Sequence, residues 1–370
     1  MNRLGIFVFY DKEGKADAYV YHLLDSMAGI VDKIIIVVNG IVRSDFLKKF
    51  NTYTENVVIR KNVGYDAGAY KEIILGLAEN NELANWDEIV LLNDTFYGPF
   101  FDWQVIFEEM EVRDVDFWGL SKWVKGKAKW YGGDLPEHVQ GYFLVIRKRM
   151  LVSSAFVEFW RTLDNLSTYH DVICRFEVMF TVYHSKQGFK YASWLDNDDI
   201  YTKTGETVYC VHPYDLIRSC RFPVLKRKAI TITNFVQAGA ALHYIENHFE
   251  YSTKMIWDHI ERIEKETSSA PFSFCEIKQF VNTHKKIYIY GYGKWGHAME
   301  SLFVYKGWEV SGFIDSNVTK QNQYVRKLED VQMSCDDGLV VALGKKSFLE
   351  VYPQLKGIFE ENQLLLPNIM

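Results

Sequence analysis

Three short segments hold residues from which chemistry can be built. The first is Lys61-Asn62-Val63-Gly64-Tyr65-Asp66-Ala67-Gly68-Ala69-Tyr70. Its small residues let a backbone approach a ligand closely, and a helix starting there would turn unpaired N–H groups toward an anion. A nucleotide diphosphate or its base suits such a loop; a helix start that only needs capping is the plain alternative. The second is Leu91-Leu92-Asn93-Asp94-Thr95-Phe96-Tyr97-Gly98-Pro99-Phe100. A carboxylate just after an apolar run is costly unless something pairs with it. A divalent cation (Mn or Mg) bridging a diphosphate would be one such partner, since hard cations favour carboxylate oxygens. An aspartate capping the next turn is the other reading. The third is Gly291-Tyr292-Gly293-Lys294-Trp295-Gly296, with Asp315 farther on. After a strand, that spacing spells a dinucleotide-binding turn, with Gly291, Gly293, Gly296 and Asp315 as its nucleotide-contacting residues.

These segments need a frame. Leu4 to Phe9, Ile34 to Val38, Val57 to Ile59 and Glu88 to Leu92 read as strands. Helical spacing lies between them, at Val20, Leu23, Leu24 and Met27, and again at Ala69, Ile73 and Leu77. Apolar strands alternating with helices predict a doubly wound α/β sheet, whose ligands sit beyond the carboxyl ends of the strands. Tyr10-Asp11, Asn39-Gly40, residues 61–68 and residues 93–98 all fall there. Helices are expected at 103–110, 156–163, 176–183 and 254–266, and strands at 115–120 and 142–146. Residues 267–283, opening on Thr267-Ser268-Ser269-Ala270-Pro271, read as a linker. The expected organisation is a first domain over 1–266, that linker, and a smaller Rossmann-like domain over 284–370. About 80 residues follow Gly291, too few for both halves of a complete dinucleotide fold, so the fold is expected there without redox chemistry.

Composition excludes several classes. The net charge of -6 argues against a general nucleic-acid binder. Five scattered cysteines without a C-x-x-C pair fit a reducing compartment and offer no zinc site. No stretch approaches a membrane span and no signal peptide opens the chain, so a cytoplasmic protein is expected, with peripheral contact at the inner face of the cell membrane left open. The aromatic share of 16% suits a carbohydrate enzyme, and suits a well-filled core at least as well.

Val38-Asn39-Gly40, Asn62 to Tyr70 and Leu92-Asn93-Asp94-Thr95-Phe96-Tyr97-Gly98-Pro99 resemble the rhamnan synthesis F family. Glu137 to Val145, Phe159-Trp160 and Pro223 to Arg227 extend the resemblance, which spans roughly residues 4 to 235. It implies a GT-A-like, doubly wound mixed sheet and a sugar transferase of bacterial surface polysaccharide assembly. The partners implied are a nucleotide-sugar donor and a glycan or lipid-linked glycan acceptor; rhamnose is implied by family alone. The donor-binding set would be Tyr10, Asn39, Asn62, Gly64, Asp66, Asn93, Asp94, Lys226 and Arg227, with His138 and Gln140 on the acceptor side. Asn93-Asp94 takes the place of the metal-binding Asp-x-Asp, one acid short, with His212 as a further metal ligand or diphosphate contact. Glu177 precedes Gly188 at a spacing similar to the acid-helix-glycine segment that carries the base of many GT-A enzymes. It is expected to begin a helix among Phe176, Met179 and Phe180, which would raise its pKa; a first-turn acid serving only the helix dipole is the bland reading. The loop Ser121 to Tyr131, with four lysines, Trp123 and Trp130, would meet acceptor or membrane, or be a solvated hairpin. An NAD-linked oxidoreductase and a non-catalytic nucleotide-sugar-binding scaffold are the rival functions.

Overall fold

The computed structural model describes residues 1–195, 208–264, 271–317 and 324–369. They form two compact units: Met1–Val208 with Phe222–Leu225, and Tyr209–Arg221 with Lys226–Met370.

In the first unit, β1 (Arg3–Phe9), β2 (Lys33–Asn39), β3 (Val57–Arg60) and β4 (Glu88–Asn93) alternate with α1 (Ala18–Met27), α2 (Ser44–Phe50) and α3 (Tyr65–Glu79). There follow α4 (Trp103–Glu111), β5 (Phe117–Gly119), β6 (Phe143–Arg147) and α5 (Ser154–Thr162). A π-helical stretch (Val172–Val178) then runs into α6 (Met179–Lys186), and β7 (Tyr191–Ser193) completes the set. The sheet order is β7-β5-β6-β4-β1-β2-β3. All neighbours are parallel except β6, which is antiparallel to both β4 and β5. This is the expected mixed, doubly wound α/β architecture. β1 and β4 are buried on both faces because their residues are apolar throughout the middle, and α3 lays Ala67, Tyr70, Ile74 and Leu77 on the sheet. The amino edge is closed by charge: Glu88 accepts from Arg3 Nε at 2.7 Å and from Arg147 Nε at 3.1 Å. After β1 the chain crosses to β2 and β3 on one side, then returns to β4 on the other. The carboxyl ends of β1 and β4 are therefore the switch point where such sheets bind ligands.

The second unit contains α7 (Pro213–Cys220), α8 (Phe235–His248), α9 (Lys254–Ile263) and α10 (Phe274–Thr283). Its sheet strands are β8 (Ile287–Tyr290), β9 (Gly312–Ile314), β10 (Val325–Arg326), β11 (Gly338–Val341) and β12 (Leu364–Leu365), with α11 (Lys294–Lys306) and α12 (Lys345–Lys356) between them. The order is β10-β9-β8-β11-β12, parallel throughout.

The division falls well before residue 266. α8 and α9 belong with the Rossmann-like sheet because their rings pack on α11: Phe235 and Trp257 each lie 5.8 Å from Tyr305, and Lys306 Nζ sits 3.2 Å above Trp257. Most of the expected linker is a helix. Ser273 and Glu276 form a reciprocal capping box at the start of α10, and Phe274, Ile277 and Phe280 are buried. Thr267 to Ala270 lie outside the described residues. Among the described residues no helix is long and apolar enough to cross a membrane.

Candidate functional site

At the carboxyl edge of the first sheet, the two polar segments meet. Asn93, the last residue of β4, donates from Nδ2 to Asp66 Oδ2 at 2.7 Å, while its Oδ1 accepts from the Thr95 hydroxyl at 2.7 Å. Asp66 stands in the first turn of α3, its Oδ1 accepting from Ala67 N at 2.9 Å. Burial raises the Asp66 pKa above the usual carboxylate value, and the Glu177 charge adds to the rise. The buried Tyr70 hydroxyl, also pushed upward, feels both Asp66 and Asp94. Three acids thus share one neighbourhood. Asp94 is 5% exposed, and its backbone carbonyl accepts from Tyr19.

Glycine makes this turn fit. Gly64 caps α3 in the left-handed region at φ +76, and a Cβ on Gly68 would stand 2.2 Å from the Val63 carbonyl oxygen. Asn39 closes the β2 end by donating to Tyr65 O at 2.8 Å. Asn62 Oδ1 and the Tyr70 hydroxyl are buried without a hydrogen-bond partner, a state that native proteins generally reserve for water or ligand. Tyr10 is exposed at the end of β1, its ring beside Gly40.

Arg60 organises the loop, and no sequence signal picked it out. It sits opposite Asn39 in the β2/β3 register. Its Nη1 donates to Asn39 Oδ1 at 2.5 Å, Nη2 to Val63 O at 2.9 Å and Nε to Glu72 at 2.8 Å. A guanidinium fork suits such a three-way clamp.

Glu177 lies near the end of the π-helical stretch, not at the start of a helix as expected. Its Oε2 accepts from Gly141 N at 2.9 Å, and Oε1 stands 3.7 Å from His138 Nε2. A Cβ on Gly141 would press to 2.8 Å from the Phe176 ring, so glycine is what lets Glu177 reach that amide. His138 Nδ1 lies 2.8 Å from the Pro136 carbonyl, which can only accept, so Nδ1 carries the proton. Nε2 therefore faces the Glu177 carboxylate as a lone pair unless one of the two takes a proton. Gln140 is held by Ser121, which also bonds Tyr142, and the Tyr142 carbonyl accepts from Asn93 N at 3.2 Å. One continuous network thus joins Glu177, residues 140–142 and Asn93. A hollow of about 590 Å³ beside Val152, Ser154 and Arg161 opens at the opposite edge, since the chain after β6 leaves from the amino end of β4.

Lys226, Arg227 and His212 belong to the second unit. His212 Nδ1 faces Asp215 Oδ2 at 3.4 Å, and Arg227 bears on His259, which burial pushes down to about 2. Among the described residues no group of three or more His, Cys, Asp or Glu is arranged to hold a metal. No chemical step is assigned to a cation. In the second unit, Gly291 has φ +99 and Gly296 lets α11 meet β8, since its Cβ would lie 2.0 Å from Gly291 O. Gly293 caps that helix in extended backbone. Asp315, expected as a nucleotide contact, turns its carboxylate to the backbone: Oδ2 accepts from Tyr292 N at 2.7 Å and Oδ1 from Asn317 N at 2.8 Å.

An uncharacterized protein of Sinorhizobium fredii is 26% identical over 200 residues, 53% of this chain and 49% of its own length; the chain thus spans about half of that relative. Among solved structures, a cytidylyltransferase from Leptospira borgpetersenii aligns at TM-score 0.31 and 11% identity, over 52% of this chain and 75% of its own. The mannosyltransferase Ktr4p from S. cerevisiae aligns at 0.30 and 10%, over 49% and 65%. The model of rhamnan synthesis protein F matches residues 34–291, most of the chain, and the protein belongs to that family.

Proposed function

We propose that the first unit is a glycosyltransferase that moves a sugar from a nucleotide-sugar donor to a growing surface polysaccharide or lipid-linked glycan. The observation that carries this reading is the Asn93–Asp66 hydrogen bond, which joins both family segments at the switch point with the Glu177 charge beside them. In this reading Asn39, Asn62, Gly64 and Tyr10 line the donor side, Asp66 and Asn93 bond donor hydroxyls, and Asp94 would hold a divalent cation, which would supply the positive charge a diphosphate needs. Asn62 Oδ1 and the Tyr70 hydroxyl would find their missing partners there.

Glu177 is the general base. The acceptor hydroxyl gives its proton to the Glu177 carboxylate as its oxygen bonds the anomeric carbon, and the bond from that carbon to the diphosphate breaks. The nucleoside diphosphate leaves with the electron pair, and the configuration inverts. The Gly141 amide holds one carboxylate oxygen, and His138 lies beside the other to share the proton afterward. A panel of dTDP-, UDP- and GDP-sugars, with and without Mn²⁺, tests the reading by transfer and donor hydrolysis. Turnover of one donor supports it. Donor binding without turnover would favour a scaffold, and no donor binding would end it.

A further inference from the structure

A line of aromatic rings leads outward from the proposed base. His138, 3.7 Å from Glu177, stacks beside Trp123, with centroids 6.5 Å apart and planes 6° from parallel. The two face each other across a short antiparallel ladder. Trp123 meets Trp130 at 6.3 Å, and Trp130 meets Tyr131 at 5.9 Å and His170 at 6.1 Å. Trp130 is 43% exposed. The carrier is the hairpin of Gly126–Ala128 and Gly133–Leu135, seated by Ala128 and Leu135 on Val178, with Ile173 and Val182 packed alongside. The helix that holds Glu177 therefore also holds the hairpin.

Resting on the transferase reading, we propose that Trp123, Trp130 and Tyr131 form a subsite for the acceptor chain behind its reacting end, so that the enzyme reads more than one sugar unit. Ring faces offer apolar area to the C–H faces of pyranose rings, and an exposed indole at the outer end of a half-buried series is where a chain would leave the site. The hairpin's charge favours a glycan over an anionic membrane. Lys122 pairs with Glu137 at 3.6 Å and Lys127 stands opposite Asp134, which removes part of the surplus positive charge a lipid surface would read.

The test uses the full chain and rhamnose oligomers of one to four units, the sugar being taken from the family's name. Binding is measured by calorimetry beside donor binding. Affinity should rise with oligomer length. Trp130→Ala should cost the longest oligomer roughly tenfold, about what covering part of an indole face supplies, and leave the single sugar and the donor unaffected. Trp130→Phe, which keeps a ring, should restore most of the loss. Length-independent binding, no oligomer binding by a donor-competent protein, or an unchanged Trp130→Ala would overturn the subsite and leave the transferase reading standing. Wild type that binds no nucleotide sugar would instead sink the transferase reading. Loss of phosphatidylglycerol vesicle binding in Trp130→Ala, with oligomer binding intact, would assign the rings to a membrane.

Discussion

The two units use the same opening topology for different ends. Each begins its sheet with a central strand, lays the next two strands to one side, and returns to the other. In the second unit the glycine turn after β8 is the obvious ligand signature. Yet its acid, Asp315, is held by the amides of Tyr292 and Asn317, and Gly296 is explained by the close approach of α11 to β8. In the first unit the turn after β1 has no such fingerprint, while Asp66, Asp94 and Glu177 gather beyond the strands, beside buried polar atoms left without partners. A glycine pattern reports how closely backbones pack. Convergent, desolvated acids report chemistry more directly.

The contrast predicts an ordered set of effects. The largest belongs to Glu177→Gln, which keeps an oxygen for Gly141 N and removes the base. Transfer should fall about 10²-fold or more with donor affinity nearly unchanged, and unaltered turnover would remove the assignment. Arg60→Ala should come next. Releasing Asn39 and Val63 together should raise the donor KM about tenfold, the scale of lost charge-assisted hydrogen bonds, with a smaller change in kcat. Gly296→Ala is the counterpart in the second unit: a Cβ against Gly291 O should destabilise that unit by about 1–3 kcal/mol in denaturant titration and leave donor affinity intact. A drop in donor affinity there would move the site to the second unit.

A smaller effect concerns pH. Asp66 has a raised pKa, so its favourable contribution is present in acid and lost as pH rises through the raised value. Asp66→Asn preserves an acceptor for Asn93 and removes that loss. Its melting temperature should match wild type in acid and exceed it at neutral pH by about 2–4 °C, roughly one kcal/mol. His184 runs the other way. Burial among Phe117, Phe159 and Phe180 pushes it down to about 4, so its contribution is present above pH 6.5 and lost as pH falls toward 4, a window that His184→Phe should flatten in acid unfolding.

Much of this was legible in the sequence for identifiable reasons. Ile34 to Val38 and Ile89 to Leu92 are apolar runs too short for helices, and the polar residues just after them fall at the ligand edge of any parallel sheet. What lay hidden depends on pairing. Nothing local marks Arg60; its role comes from facing Asn39 across the β2/β3 register. The direction of β6 is not encoded by its apolar run. The Glu177–Gly141 contact joins residues far apart in sequence. α8 has a buried face in which Phe235, Leu242 and Ile245 alternate with the small Ala238, Gly239 and Ala241, which weakens its apolar stripe. The boundary was misplaced because the partner of Phe235 and Trp257, Tyr305, lies on the far side of the supposed linker.

Hydrogen exchange of the intact chain with and without a saturating nucleotide sugar compares the two units in a single measurement. Slowed exchange at residues 62–70 and 93–98, with residues 291–297 unchanged, is the predicted result. Protection confined to the Gly291–Gly296 turn would contradict it and return the nucleotide to the second unit.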